Sequence, residues 1–168
     1  MRKEEGFTLI EIMAAMALAA VLMTLGAMSL RTFWWHRSLE GGADQIVSQV
    51  RELQERVVAE THPLVYGARF RAGSPTWGLV QYDPDAGTCT QYTTHTFDTS
   101  VYVSAASFSS DPTVTNFCRT ALSAPSDEFV FFYARGNATP GSVTIRHDGL
   151  DEEESVTVAG VTGRADRT

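Results

Sequence analysis

Gly6-Phe7-Thr8-Leu9-Ile10-Glu11 opens an apolar stretch, FTLIEIMAAMALAAVLMTLGAMSL, that runs to Leu30, and its reading decides the fold. Of its 24 positions 19 are hydrophobic, against 53 of the 138 from Arg31 onward, so the overall figure of 43% averages two unlike regions. As an α-helix the stretch would rise roughly 36 Å, slightly more than the roughly 30 Å hydrocarbon core of a bilayer. No proline precedes Pro63, and Ala, Leu and Met dominate, so nothing breaks a helix. Arg31, Phe33, Trp34, Trp35 and Arg37 follow, the cations and indoles that suit a headgroup region. Arg2 and Lys3 precede the stretch, so the positive-inside count leaves its orientation open.

A cleaved secretory signal fits poorly. Glu4 and Glu5 lie in the basic leader, Glu11 lies inside the apolar stretch, and no small-x-small site precedes the polar flank. Glu11 is the informative residue, because a carboxylate at membrane depth costs about 2.5 to 3.5 kcal/mol on insertion scales and is a functional candidate by default.

Working outward, residues 37–60 carry Leu39, Ala43, Ile46, Val47, Val50, Leu53, Val57 and Val58 at steps of three and four, with Glu40, Asp44, Gln45, Gln49, Arg51, Glu52, Glu55 and Arg56 on the other side. That period predicts an amphipathic continuation of the helix, loosened at Gly41-Gly42 and ended by Pro63. A free membrane-surface helix would carry a Lys-rich polar face, and the chain has one lysine, Lys3. Beyond Pro63 the period becomes two. Strands are predicted at 64–71, 77–82, 88–94, 101–108, 129–134, 142–147 and 155–159, with Gly, Pro, Asn and Asp turn signals between several of them. The expected fold class is α+β: a long N-terminal helix packed on an antiparallel, sandwich-like β domain. The expected organisation is a leader at 1–6, a transmembrane helix at 7–30, an amphipathic stalk at 31–62 and a β-rich domain at 63–168.

The segment Gly6-Phe7-Thr8-Leu9-Ile10-Glu11, behind a short charged leader, resembles the class III signal of type IV pilins and pseudopilins. The resemblance implies cleavage between Gly6 and Phe7 by a prepilin peptidase, N-methylation of Phe7, and a role for Glu11 in assembly by pairing with a neighbouring subunit's amino terminus. Elementary chemistry agrees with the cleavage and the pairing. Gly6 has no Cβ and leaves the scissile bond open. Glu11 lies one helical turn, about 6 Å, from the new amine. The closing pattern Phe129-Val-Phe-Phe-Tyr-Ala-Arg-Gly136, Pro140-Gly141, Ser142-Val-Thr-Ile145 and Val156-Thr-Val-Ala-Gly160 is similar to the GspH/FimT branch of minor pseudopilins. Many pilins carry a proline inside the membrane segment, and this chain departs from them there. Partners implied by the resemblance are other pilin subunits, the prepilin peptidase and the inner-membrane assembly platform. The implied location is the bacterial inner membrane and then a pilus or pseudopilus.

Cys89 and Cys118 fit no metal or redox spacing. In an extracytoplasmic domain a bridge between them is the expectation, with two separate buried thiols as the alternative. His36, His62, His95 and His147 lack ligand spacing and are expected at the surface or an interface. The run Asp148-Gly149-Leu150-Asp151-Glu152-Glu153-Glu154 lacks a calcium-loop spacing and is expected as a solvated hairpin turn. Asn137-Ala138-Thr139 matches a glycosylation acceptor, a signal of little weight. No catalytic set, metal site or cofactor is expected, and the role is structural rather than enzymatic. DNA-uptake members of the FimT branch carry Gly-Arg-x-Arg near the end, whereas here Asp166 intervenes between Arg164 and Arg167. Arg164 and Arg167, with Arg135 and Arg146, form the candidate DNA contact, set against a frayed, solvated tail and a net charge of -7, so DNA is a partner considered but not favoured. The same motif serves type II secretion, which stands as a further alternative to a pilus.

Overall fold

The computed structural model describes residues 8–60 and 64–168. Its first element, α1, is a 51-residue helix, Leu9–Ala59. The chain divides into two compact units, Met1–His36 and Arg37–Thr168.

In the first unit the helix buries nothing: Leu9, Met16, Leu22, Met23 and Met28 are all exposed. Its apolar window has a mean hydropathy of 2.1 and is long enough to cross a membrane. Thr24 turns its hydroxyl back onto the Val21 carbonyl at 2.7 Å, so it adds no unsatisfied donor to that surface. Near the unit's end the Arg31 guanidinium lies 4.5 Å from the Trp35 ring centre, a cation-π contact.

In the second unit α1 presents the buried stripe Leu39, Ala43, Ile46, Val50, Leu53 and Val57, whose steps of four and three are one face of a helix. Two four-stranded antiparallel sheets receive it. The first has the order β3-β2-β1-β5 and comprises β1 (Val65–Phe70), β2 (Thr76–Asp83), β3 (Thr88–Thr96) and β5 (Glu128–Phe132). The second has the order β4-β6-β7-β8 and comprises β4 (Val101–Phe108), β6 (Gly141–His147), β7 (Glu153–Val158) and β8 (Ala165–Arg167). One core joins the helix stripe to Tyr66, Ala68, Phe70, Trp77, Val130 and Phe132 of the first sheet. The same core takes in Val101, Val103, Val143, Ile145, Val156 and Val158 of the second.

The first sheet is buried on both faces. Phe129 and Phe131 alternate with Val130 and Phe132 along β5 and point away from α1, into a second cluster with Val80, Cys89, Val114 and Cys118. The helix α2, Pro112–Ala121, covers that face. Burial on two faces is why this strand reads as an uninterrupted apolar run rather than an alternating one. Gly67 of β1 sits where a Cβ would lie 2.7 Å from the Phe131 ring, so the tight β1–β5 pairing needs a glycine there.

Three local expectations are corrected. The segment between β4 and β5, where no element was expected, forms α2. Val114, Phe117, Cys118 and Ala121 give it a short apolar face, and its start is well built: the Asp111 carboxylate accepts the amide of Thr113 at 3.1 Å, with Pro112 in the first turn. An eighth strand, β8, replaces the expected frayed tail, because residues 165–167 pair with β7 in the register Val158↔Ala165 and Val156↔Arg167. The helix is also not loosened at Gly41-Gly42. It runs through both, and Gly42 is buried where a Cβ would come 3.1 Å from Ile145 and 3.3 Å from Phe97. The pair therefore serves close packing at one position and nothing visible at the other, since Gly41 has open space around it. The expected helix stop, Pro63, lies outside the described residues; α1 ends at Ala59.

One charge sits fully inside this unit. Asp127, 0% exposed, accepts from Arg69 Nε and from Arg71 Nε at 2.8 Å, and its backbone carbonyl accepts from Arg119 Nε at 3.1 Å. Burial pushes the Asp127 carboxyl up, and the hydrogen bonds and charges of Arg71 and Arg69 outweigh it, so its pKa falls below the ordinary carboxylate value.

Two predictions come from this packing. Gly41→Ala should stabilise the chain by about 0.5 to 1 kcal/mol through helix propensity, and Gly42→Leu should destabilise it by more than about 2 kcal/mol through overpacking. Urea denaturation of the full chain in a neutral detergent checks the opposite signs, and equal effects would reject the assignment. For Asp127 the lowered pKa means a stabilising contribution that is complete above the unfolded value of about 3.9 and is lost as pH falls through the folded value. The Asp127→Asn variant should therefore be less stable at neutral pH and show a flatter acid limb in stability measured against pH.

Candidate functional site

The helix start carries the first candidate residues. Thr8 stands just before α1, in the N-cap position, and Glu11 three residues later. The Thr8 amide donates to Glu11 Oε2 at 2.9 Å, the Thr8 hydroxyl donates to the same oxygen at 3.0 Å, and the Glu11 amide donates to Thr8 Oγ1 at 3.4 Å. This is a capping box, in which the two side chains satisfy donors that the first helical turn leaves over. Glu11 is thus built into the helix terminus as well as being available for pairing. Its second carboxylate oxygen accepts no hydrogen bond among the described residues. The T-x-x-E spacing is itself a helix-start signal in the sequence, separate from the cost of a carboxylate in an apolar stretch. Gly6 and Phe7, the expected cleavage and methylation positions, lie outside the described residues.

Cys89 on β3 and Cys118 on α2, 29 positions apart in the chain, are joined by a disulfide with Cα atoms 5.3 Å apart. The bridge pins α2 to the outer face of the first sheet, beside Val80, Phe129 and Phe131.

The candidate arginines are not gathered into one cationic surface. Arg164 Nε lies 2.8 Å from Asp166. Arg167, on β8, reaches Asp44 at 3.5 Å and Glu40 at 4.0 Å on α1, and Glu154 on β7 at 3.4 Å. Arg146 on β6, separated from β8 by β7, lies 3.4 Å from Asp151. Arg135 is exposed on the turn after β5. Three of the four therefore stand beside carboxylates, with Arg167 tying the terminal strand to the helix. What the sequence missed is that Glu40 and Asp44, four apart on α1, are partners for the chain's end.

The histidines differ from one another. His95 stacks on Trp77 with ring centres 4.5 Å apart, and burial lowers its pKa. His147, expected at the surface or an interface, is only 4% exposed and its Nδ1 accepts the Gly149 amide at 2.9 Å, closing the turn between β6 and β7. His62 lies outside the described residues. Thr139 of the Asn137-Ala138-Thr139 triplet is buried, and its hydroxyl accepts the Phe131 amide at 2.8 Å. Among the described residues there is no group of three or more His, Cys, Asp or Glu placed to hold a metal ion.

Residues 1–27 match the family model described as the prokaryotic N-terminal methylation motif. The chain carries that class III, prepilin-type signal, and the match supports a type IV pilin-like protein processed by a prepilin peptidase. Searches of curated proteins and of solved structures gave no match.

The bridge generates the prediction here. On the chain-entropy model, closing a loop of this length contributes about 3.5 kcal/mol. The Cys89→Ala/Cys118→Ala double variant should lose roughly that stability, and reducing agent should lower the denaturation midpoint of the native chain but not of the variant. A midpoint indifferent to reductant in both would remove the bridge from the energetics.

Proposed function

We propose that this protein is a minor pilin or pseudopilin of the GspH/FimT branch, a structural rather than catalytic subunit of a type IV pilus or pseudopilus. The observation that carries the reading is the N-terminal methylation motif joined to a helix whose first half is apolar on every side and buries nothing within its own unit. Before assembly such a segment has the bilayer as its solvent; after assembly, the equivalent segments of other subunits replace the lipid. The partners are then other pilin subunits, the prepilin peptidase and the inner-membrane platform. The path is from the inner membrane to an extracytoplasmic fibre that displays the β domain.

Glu11 fits this scheme chemically. Cleavage after Gly6 gives Phe7 a cationic amine, and a carboxylate one turn away lowers the cost of placing either charge in an apolar fibre core. Minor rather than major status rests on the pattern of the closing strands. Against DNA uptake as the leading reading stand the carboxylates beside Arg164, Arg167 and Arg146, and the net charge of -7. A type II secretion role uses the same helix and is separated from a pilus role by which assembly genes neighbour this one.

Gly6→Asp should leave a chain that keeps residues 1–6 and stays out of fibres, whereas Glu11→Ala should be processed normally yet fall to background in purified fibres. Intact mass and amino-terminal sequencing of the mature protein check both. A mature terminus other than Phe7, or Glu11→Ala entering fibres at the native level, would overturn the proposal.

A further inference from the structure

Between β1 and β3, on the face of the first sheet away from α1, lies a polar cavity of about 100 Å³ bordered by Arg69, Arg71, Ser74, Gln91, Thr94 and Asp127. We propose that this cavity binds a compact, singly charged oxyanion, gripped by the outer guanidinium nitrogens of Arg71 and Arg69.

The hydrogen-bond inventory carries the argument. Asp127 spends one carboxylate oxygen on Arg69 Nε and the other on Arg71 Nε. Arg69 spends Nη1 on Gln91 Oε1 at 2.8 Å. The amide nitrogen of that glutamine donates to the Thr94 hydroxyl at 2.8 Å, which leaves the Thr94 proton to be donated elsewhere. Among the described residues nothing accepts from Arg69 Nη2 or from either Nη of Arg71. Both oxygens of the one carboxylate are engaged, so the cavity offers guanidinium and hydroxyl protons and asks for an acceptor-only group.

Charge points the same way. Two guanidinium groups face one carboxylate, leaving an excess of one positive charge in a protein whose net charge is -7. A structural anchor for Asp127 needs no second cation, since Arg69, 18% exposed at its side chain, already neutralises it. Arg71 is half exposed and borders the cavity with both Nη atoms still to be used, the fork of donors that suits oxyanions. The cavity floor is also made by a missing side chain. At Gly78 a Cβ would lie 2.6 Å from the Gln91 amide, so the glycine gives Gln91 room to fold across β2 and hold Arg69 where it stands.

The test uses the full chain in an uncharged detergent, with nitrogen-15 arginine Nε–H resonances as the readout. The probes are sodium acetate, a planar carboxylate, and sodium dimethyl phosphate, a tetrahedral monoanion, each raised to about 0.1 M against sodium chloride of equal ionic strength. Saturable movement of the Arg71 and Arg69 signals beyond the chloride control, with either probe, is the expected result. The tighter probe names the ligand geometry. Arg71→Gln should weaken that affinity by about tenfold or more, and Arg135→Gln should leave it unchanged. Shifts no greater than chloride's, or an Arg71→Gln variant that binds as well as the native chain, would overturn the site. If Arg71→Gln does not fold, Thr94→Ala decides: it keeps both Asp127 pairs, a severalfold loss supports the site and an unchanged affinity refutes it.

Discussion

A single helical stripe has to be buried by two sheets at once, and most of the second unit follows from that demand. Leu39, Ala43, Ile46, Val50, Leu53 and Val57 lie at or below 2% exposure because the inner faces of both four-stranded sheets converge on them. Six such side chains represent on the order of 10 kcal/mol of transfer free energy before chain entropy is charged against it. Sharing one stripe between two sheets sets tight local limits. Gly42 is a glycine because Ile145 and Phe97 need its place, and β8 must close the second sheet if Arg167 is to reach Glu40 and Asp44 on the helix. The first sheet, committed to the helix on one side and rich in Phe on the other, requires a second cover. That is the role of α2 and the Cys89–Cys118 bridge.

The same helix meets opposite demands along its length. From Leu9 to Leu30 every side chain of the helix is exposed within its own unit, while from Leu39 on the apolar residues retreat to one face and carboxylates take the other. A membrane or a fibre of like helices satisfies the first region; the protein's own sheets satisfy the second. The change of pattern, more than the length of the apolar run, is what separates a pilin-like stalk from a plain anchor joined to a domain by a linker.

Much of this was legible in sequence because periodicity is a strong signal when one face is buried. The stripe on α1 and the alternation in β6 and β7 gave element types correctly, and the run of Phe in β5 gave a strand although its two buried faces erased the alternation. What escaped was local or long-range. The segment PTVTNFCRTA does carry a helical period, Val114, Phe117, Cys118 and Ala121 behind an Asp-Pro start, but over only ten residues, which makes α2 a short signal among strands. Strand β8 is three residues long and is stabilised by charges on α1 far away in sequence, which no window can see. Of the candidate site, the Cys pairing and the helix terminus were readable, whereas the neutralisation of Arg164 and Arg167 and the Arg69–Asp127–Arg71 cluster depend on register between strands and loops.

Glu11 shows how one residue can cap a helix and still keep a carboxylate oxygen in reserve. A lone carboxylate in an apolar segment would be held at a cost, and a helix terminus without caps would leave amides unsatisfied. Placing the carboxylate three residues from the helix start lets each problem relieve the other: Thr8 supplies two donors to Oε2, and the helix end supplies a favourable dipole for an anion. Only one oxygen is consumed by this arrangement. The other is carried on an already ordered side chain, so pairing with an incoming cation does not require freezing the glutamate's rotamers at that moment, an entropy cost of up to about 2 kcal/mol for a long polar side chain. The position of Glu11 in the first helical turn, and no deeper, is therefore the one at which a carboxylate in an apolar segment is both held by the helix end and left with an oxygen to pair.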